Sequence, residues 1–497
     1  MPTLPRNLYR AAQVRELDRL AIEEYGIPGA TLMERAGAAA FAALQQRWPQ
    51  SRNITLVCGI GNNGGDGFVV ARLAYAAGLT VQVLQVGDVQ LIRGDALAAR
   101  QALLQAGVAI SAFSAAGLQG AELIVDAMLG TGLTRGVEGE WRAAIEAINQ
   151  SGLPILALDI PSGLQSDSGQ VLGAAVRAHA TISFIGLKQG MLSGAGPDYC
   201  GALLFNDLGV PEDVYARLSP AAVRINLSSA PSLAARARNS HKGSYGQVLV
   251  IGGDHGMAGA VRLAAEAAVR VGAGLVRVAT RGEHLPGIVG ARPELLCHGV
   301  ENVSDLGPLF HTASVIAIGP GLGRSAWASE LFGAVLETDV PLVVDADALN
   351  LLATDPLQRQ DWVLTPHPGE AVRLLNSSIA QVQADRFQAA QAIQRRYGGV
   401  VVLKGAGTLV QAGSGPTAVC DAGNPGMASA GMGDVLTGVI AGLLAQGMEI
   451  AGAAQLGVCL HAAAGDRAAA REGERGLLAS DLFPHLRRLV NQRTCDS

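Results

Sequence analysis

Twice in this chain a short apolar run ends in a glycine-rich turn and resumes as a helical pattern, and that limits the folds open to it. The first run, Asn53–Cys58, leads into Gly59-Ile-Gly61-Asn62-Asn63-Gly64-Gly65-Asp66-Gly67, and a helical pattern follows at Val69, Val70, Leu73 and Ala74. The second, Gln247–Ile251, leads into Gly252-Gly-Asp-His-Gly-Met-Ala-Gly259 and a helix from Ala260 to Val271. Strand, glycine loop, helix opens a doubly wound sheet, because parallel strands need a crossover between them. Further strand runs trail each start. In the first half they are Thr80–Val86, Leu123–Ala127, Ile155–Leu158 and Thr181–Phe184, with helices at Asp95–Ala106 and Glu140–Gln150. In the second they are Leu275–Ala279, Ser314–Ile318, Leu342–Val344, Trp362–Leu364 and Val400–Leu403. Upstream, Ala11–Tyr25 reads as an amphipathic helix, and Thr31 with Glu34 as the capping box of another that runs to Arg47. Pro211 to Ala237, with Pro220, Pro231 and Ser228-Ser229, changes character and places a boundary between about 215 and 235. At 497 residues the chain exceeds one core, so two α/β domains are predicted.

Composition removes several classes of function. Only 16% of residues are charged against 49% hydrophobic, which excludes a disordered chain. A net charge of −5 and 4% aromatic residues argue against a nucleic-acid binder. No apolar run is long enough to span a membrane, and Met1 to Arg10 lacks the apolar core of a signal peptide. The six cysteines, Cys58, Cys200, Cys297, Cys420, Cys459 and Cys495, are scattered without a Cys-x-x-Cys pair, as in a reducing compartment. A cytoplasmic protein is expected.

Ligands of open α/β sheets bind beyond the carboxyl ends of strands. In the first half those ends carry Asn63, Asp126, Asp159 and Ser162. An all-oxygen set suits a hard or alkali cation rather than zinc. Asp126 and Asp159 are also the acid–base candidates. Caps and turns are the alternative account of the same residues, since Asn and Asp tolerate tight turns.

The second half gathers more chemistry. Gly319-Pro-Gly321-Leu-Gly323 lets backbone approach a ligand, and Asp345-Ala-Asp347-Ala-Leu-Asn350 supplies carboxylates and an amide. His367 and Glu370 start a helix in Thr365-Pro-His-Pro-Gly-Glu370. Lys404 precedes the glycine turn Gly405-Ala406-Gly407-Thr408. The stretch Gly423 to Leu436 feeds a helix whose free N–H groups suit a phosphate. Asp434, in its first turn, either caps the helix or acts as a base. The chain has no G-x-x-x-x-G-K-[ST] loop.

Gly-Asn-Asn-Gly-Gly-Asp-Gly, Leu-Gly-Thr-Gly-Leu and Asp-Ile-Pro-Ser-Gly in the first half closely resemble one domain of the bifunctional NAD(P)H-hydrate repair enzymes. Thr-Pro-His-Pro-Gly-Glu, Lys-Gly-Ala-Gly-Thr and Gly-Met-Gly-Asp resemble the other. The two motif sets stand in the family's order and cover nearly the whole chain. The resemblance implies a Rossmann-like epimerase domain at 1–222 and a ribokinase-like, ADP-dependent dehydratase domain at 223–497. It implies that Asn62, Asn63, Gly64, Gly65 and Asp66, with Gly130, Thr131, Gly132, Leu133, Thr134, Arg135 and Gly136, hold the hydrated nucleotide. Asn63, Asp126 and Ser162 would bind K⁺, and Asp159 would contact the substrate and move a proton. In the second domain Ala260, Gly321, His367 and Asp434 would line the hydrate site. Lys404, Gly405, Ala406, Gly407, Thr408 and Gly433 would hold the adenine nucleotide, ADP, with Mg²⁺. Ala406 stands where many relatives have proline, and its flanking glycines keep the backbone contacts. The resemblance also implies NAD(P)H-hydrate and ADP as the partners, and a homo-oligomer. Asp434 is expected to deprotonate or orient the substrate hydroxyl. The rival readings are a ribokinase-like small-molecule kinase with an N-terminal regulatory domain, and a nucleotide-sensing module without turnover.

Overall fold

The computed structural model describes residues 4–413 and 415–492; Cys495 lies outside them. The chain divides into two compact units, 1–223 and 224–497, at the strand Ala222–Ile225.

The first unit is a seven-stranded parallel sheet. Its spatial order is Ile110–Ala112, Thr80–Gln85, Asn53–Cys58, Leu123–Ala127, Ile155–Leu158, Ala180–Phe184 and Ala202–Asn206. The chain starts at Asn53–Cys58, winds outward through two strands, and returns to build the other side. The topological switch therefore falls between Asn53–Cys58 and Leu123–Ala127, where a doubly wound sheet opens its ligand crevice. Helices cover both faces, and their apolar stripes build one core cluster on each side. A small ladder adds Asn7–Tyr9, paired in parallel with Leu187–Lys188 and antiparallel with Ala222 and Val223.

Two sequence expectations are corrected here. Thr31 and Glu34 do not form a capping box: the helix begins at Gly29 with Pro28 as N-cap, and Thr31 N donates to the Pro28 carbonyl. The glycines of Asn62–Gly67 do not form a loop either. The helix Asn62–Ala76 already starts at Asn62. A Cβ at Gly64 would sit 2.1 Å from the Gly59 carbonyl oxygen, and one at Gly67 would sit 2.6 Å from Ala127 Cβ. These glycines let the helix start lie against the strand ends, a packing requirement and not a turn requirement. The strands Ile110–Ala112 and Ala202–Asn206 were not anticipated.

The second unit has nine strands in the order Leu296–Gly299, Leu275–Thr280, Gln247–Ile251, Val315–Ile318, Leu342–Val344, Trp362–Leu364, Val400–Leu403, Thr408–Ala412 and Thr417–Cys420. The first seven are parallel, and the last two turn back as antiparallel hairpins. Its switch lies between Gln247–Ile251 and Val315–Ile318. The apolar helix Met432–Ala445 is buried along almost its whole length and packs on Ala258–Val271, where Gly438 and Gly442 allow the two backbones to touch. Leu296–Gly299 and the two hairpin strands were not foreseen. Among the described residues no helix is long and apolar enough to cross a membrane.

Candidate functional sites

In the first unit a cavity of about 930 Å³ opens at the switch point, lined by Asn62, Asn63, Asp66, the loop Gly130–Gly136 and Asp159. Every predicted residue of the nucleotide set except the packing glycines Gly64 and Gly65 therefore faces one space. Asp126, at the end of its strand, is fully buried and is not among the residues that line this space. Ser162 Oγ donates to its Oδ1 at 2.6 Å and Ser162 N to its Oδ2 at 2.8 Å. Burial pushes the Asp126 carboxyl up to about 6 despite these bonds. Asn63 is buried, and neither its Oδ1 nor its Nδ2 has a partner in the described structure. A buried, unsatisfied amide is costly and asks for a ligand. Of the predicted cation set, Asp126 and Ser162 are bonded to each other, and Asn63 brings a buried amide oxygen without a partner; oxygen donors of this kind suit a hard or alkali cation. Among the described residues no cluster of three His, Cys, Asp or Glu side chains is placed to hold a metal ion.

Asp159 follows the strand Ile155–Leu158 with φ +64°, a left-handed conformation that is uncommon outside glycine. Asp159 N donates to the Ile182 carbonyl at 2.8 Å, which locks the turn. Its carboxylate is ion-paired with Lys188, whose side chain is fully buried and also donates to Ser183 Oγ at 3.0 Å and to the Phe184 carbonyl at 3.2 Å. Left-handed backbone of this kind at a non-glycine residue is a conformation that clusters at functional sites. Sequence reasoning missed Lys188 and also Asp18, which lines the same cavity from the helix Ala11–Glu23. Burial first and the Asp159 charge second push Asp18 up to about 6. Asp66 is raised well above the carboxylate range, mainly by burial and then by Asp159 and Asp18. Asp18 had a sequence signal, a charge beside the apolar stripe Val14, Leu17 and Ala21. Lys188 sits in a two-residue strand and had none.

In the second unit the strand ends converge on Asp345, which is 1% exposed. Lys404 Nζ donates to its Oδ1 at 2.7 Å, Thr365 Oγ1 to the same oxygen at 2.7 Å, and Thr437 Oγ1 to its Oδ2 at 2.8 Å. These contacts hold Asp345 ionised below the usual carboxylate range against its burial. Glu370 lies 3.8 Å from Lys404 Nζ, and burial raises its carboxyl to about 7. A Cβ at Gly433 would lie 3.3 Å from Lys404 Nζ, so the predicted lysine and the predicted glycine turn meet.

Asp434 is not a cap. The N-cap of its helix is Gly431, and no side chain caps that end. Burial, then the Asp345 charge, lifts its carboxyl to about 7, with Lys404 opposing and Asp347 adding to the rise. A carboxylate poised near neutrality is suited to proton transfer. His367, in contrast, fills the structural role: its Nδ1 accepts from Gly369 N at 2.9 Å, and Glu370 Oε2 accepts from His367 N at 2.7 Å. Half its side chain remains exposed. Ala260 and Gly321 are neighbours, since a Cβ at Gly321 would stand 3.2 Å from that of Ala260. Gly405, Ala406 and Gly407 form the hairpin turn after Val400–Leu403, and Thr408 opens the next strand.

The two sites define a class: a two-domain α/β protein with a carboxylate-lined cavity in one unit and a buried lysine among carboxylates at the strand ends of the other. Residues 29–190 match the family described as YjeF-related protein N-terminus, and residues 248–488 that described as NAD(P)H-hydrate dehydratase. A bifunctional NAD(P)H-hydrate repair enzyme of Coxiella burnetii is 55% identical over 97% of this chain and 99% of its own. One of Escherichia coli is 44% identical over 99% and 96%. The crystal structure of a ribokinase-like superfamily protein from Enterococcus faecalis covers 54% of this chain and 95% of its own at 30% identity, with a TM-score of 0.50. The chain belongs to the family of bifunctional NAD(P)H-hydrate repair enzymes.

Proposed function

We propose that the protein repairs hydrated nicotinamide nucleotides. Its 1–222 domain interconverts the R and S hydrates, and its 223–497 domain dehydrates the S form at the expense of ADP, releasing AMP and phosphate. The observation that carries this reading is the pairing of both family matches, in this order along the chain, with an ion-paired carboxylate, Asp159, in the first crevice and a carboxyl raised to about 7, Asp434, in the second.

The hydrate carries its hydroxyl on a ring carbon next to nitrogen, and hydroxide is a poor leaving group. In the second site Asp434 takes the hydroxyl proton. The oxygen then attacks the β-phosphorus of ADP, the bond from that phosphorus to the AMP oxygen breaks, and AMP leaves. Lys404, held by Asp345, and the N-terminus of Met432–Ala445 face the transferred charge. Ring nitrogen expels the phosphate, and loss of a proton from the adjacent carbon restores NADH or NADPH. Mg²⁺ bound with the nucleotide would supply further positive charge against the phosphates. Ala260, Gly321 and His367 line the hydrate side, and Lys404–Thr408 with Gly433 the nucleotide side.

In the first site Asn62–Asp66, Gly130–Gly136 and Asp159 hold the substrate, and Asp159, oriented by Lys188, moves the proton. Asn63, Asp126 and Ser162 would hold K⁺, which would supply a fixed positive charge beside the pocket. A homo-oligomer is also proposed, which light scattering on the purified chain tests. The function itself is tested by separating the two activities. Asp434→Asn should abolish ADP-dependent dehydration and leave R–S exchange, followed chromatographically, within about two-fold of wild type. Loss of both activities in a folded variant, or of neither, would contradict the assignment.

A further inference from the structure

Arg386 opens the helix Arg386–Tyr397 and is 2% exposed. Three features make it expensive. Its guanidinium is buried, it sits at the positive end of a helix dipole, and no Asp or Glu of the described structure pairs with it. Asp385, next to it, is occupied in accepting from Gln388 N at 2.9 Å. Burial alone, with no carboxylate opposing it, lowers the guanidinium to about 10. A charge kept at that cost has a use.

Its partners show the use. Arg386 Nη2 donates to the carbonyls of Leu403 at 3.2 Å, Lys404 at 3.3 Å and Gly407 at 3.4 Å. Thr408 Oγ1 takes the Gly405 carbonyl at 3.0 Å. Four carbonyls of one tight hairpin turn are thus tied down. The N–H groups of Gly405, Ala406 and Gly407 have no acceptor among the described residues. Gly405 and Ala406 are exposed. Gly405 has φ +133° and Gly407 φ +65°, and a Cβ at Gly405 would strike Arg386 Nη1. A turn with its carbonyls drawn toward a cation and its N–H groups left free is an anion nest.

We propose that Arg386 is the positioning residue that shapes the turn Lys404–Thr408 into a preformed receptor for the phosphate of the adenine nucleotide. The inference rests on the reading that this turn holds ADP. The guanidinium never touches the nucleotide. It acts by fixing the carbonyls and by leaving the loop electropositive until the phosphate arrives. The use of glycine at 405 follows, because any side chain there would displace the guanidinium.

The test compares Arg386→Gln, Arg386→Lys, Gly405→Ala and Lys404→Ala in the full chain. ADP affinity is measured by calorimetry, and KM for ADP and for the hydrate by steady-state kinetics. Arg386→Gln should weaken ADP by about ten-fold or more, the scale of hydrogen bonds to a charged group. The hydrate KM should stay within about two-fold, and Arg386→Lys, which keeps the charge but not the fork, should fall between. Should Arg386→Gln not fold, Gly405→Ala, whose Cβ would push against Arg386 Nη1, tests the same contact and should show the same selective loss. If Lys404→Ala weakens ADP while Arg386→Gln and Gly405→Ala do not, or if both KM values rise together, the inference falls and the nucleotide reading stands. If Lys404→Ala also leaves ADP binding unchanged, the reading of the turn falls with it.

Discussion

Asp434→Asn should make the protein more stable while making its second site inactive, and the gain should depend on pH. In the folded state the Asp434 carboxyl titrates at about 7 instead of 3.8, because it is buried beside Asp345. The folded chain therefore holds this proton more tightly than the unfolded chain, and stability falls as pH rises from about 4 to about 7. The whole gap is worth about 4 kcal/mol once pH exceeds the folded value. At pH 5 less than about 2 kcal/mol of it has been lost. Asparagine carries no charge to desolvate, so Asp434→Asn should gain several kcal/mol at pH 8 and about half as much or less at pH 5. The assay is urea unfolding of variant and wild type at both pH values, followed alongside ADP-dependent turnover. A variant less stable than wild type at pH 8, or one whose advantage is the same at both pH values, would refute the assignment of Asp434 as a desolvated base.

The same pKa predicts that dehydratase turnover rises through pH 7 to a plateau, and pH–rate profiles of the second activity check this. Asp159→Asn should lower R–S exchange on the order of 10²-fold while S-hydrate dehydration continues, measured on the separate epimers. Thr437→Val removes the 2.8 Å bond to the buried Asp345 and should cost about 1–3 kcal/mol in urea unfolding. Replacing K⁺ by a bulky organic cation should slow exchange in the wild type, and the same exchange assay reads it.

Sequence periodicity carried the architecture well where strands are buried and regular. Asn53–Cys58 and Leu123–Ala127 are largely apolar runs, and the carboxyl end of the second carries Asp126. It failed on Ile110–Ala112 and Leu296–Gly299, three- and four-residue edge strands that are partly exposed and carry no pattern. It also misplaced the start of Asn62–Ala76, because glycine suggests a turn and here serves close packing against Gly59 and Ala127. Motif residues with side-chain chemistry, such as Asp159, Lys404 and Asp434, were legible. Their supports were less so. Lys188, Asp18 and Arg386 reach the sites from elements distant in sequence, and only the folded chain shows whom they touch.

The most direct measurement is recovery of the near-ultraviolet absorbance of reduced nicotinamide from a racemic NADH-hydrate mixture, with ADP and Mg²⁺. Wild type should restore all of it, and Asp159→Asn should stall near half, with the R form left behind. Wild-type recovery that stops at half would show that the first unit does not epimerise, and no recovery from folded protein would contradict the account as a whole.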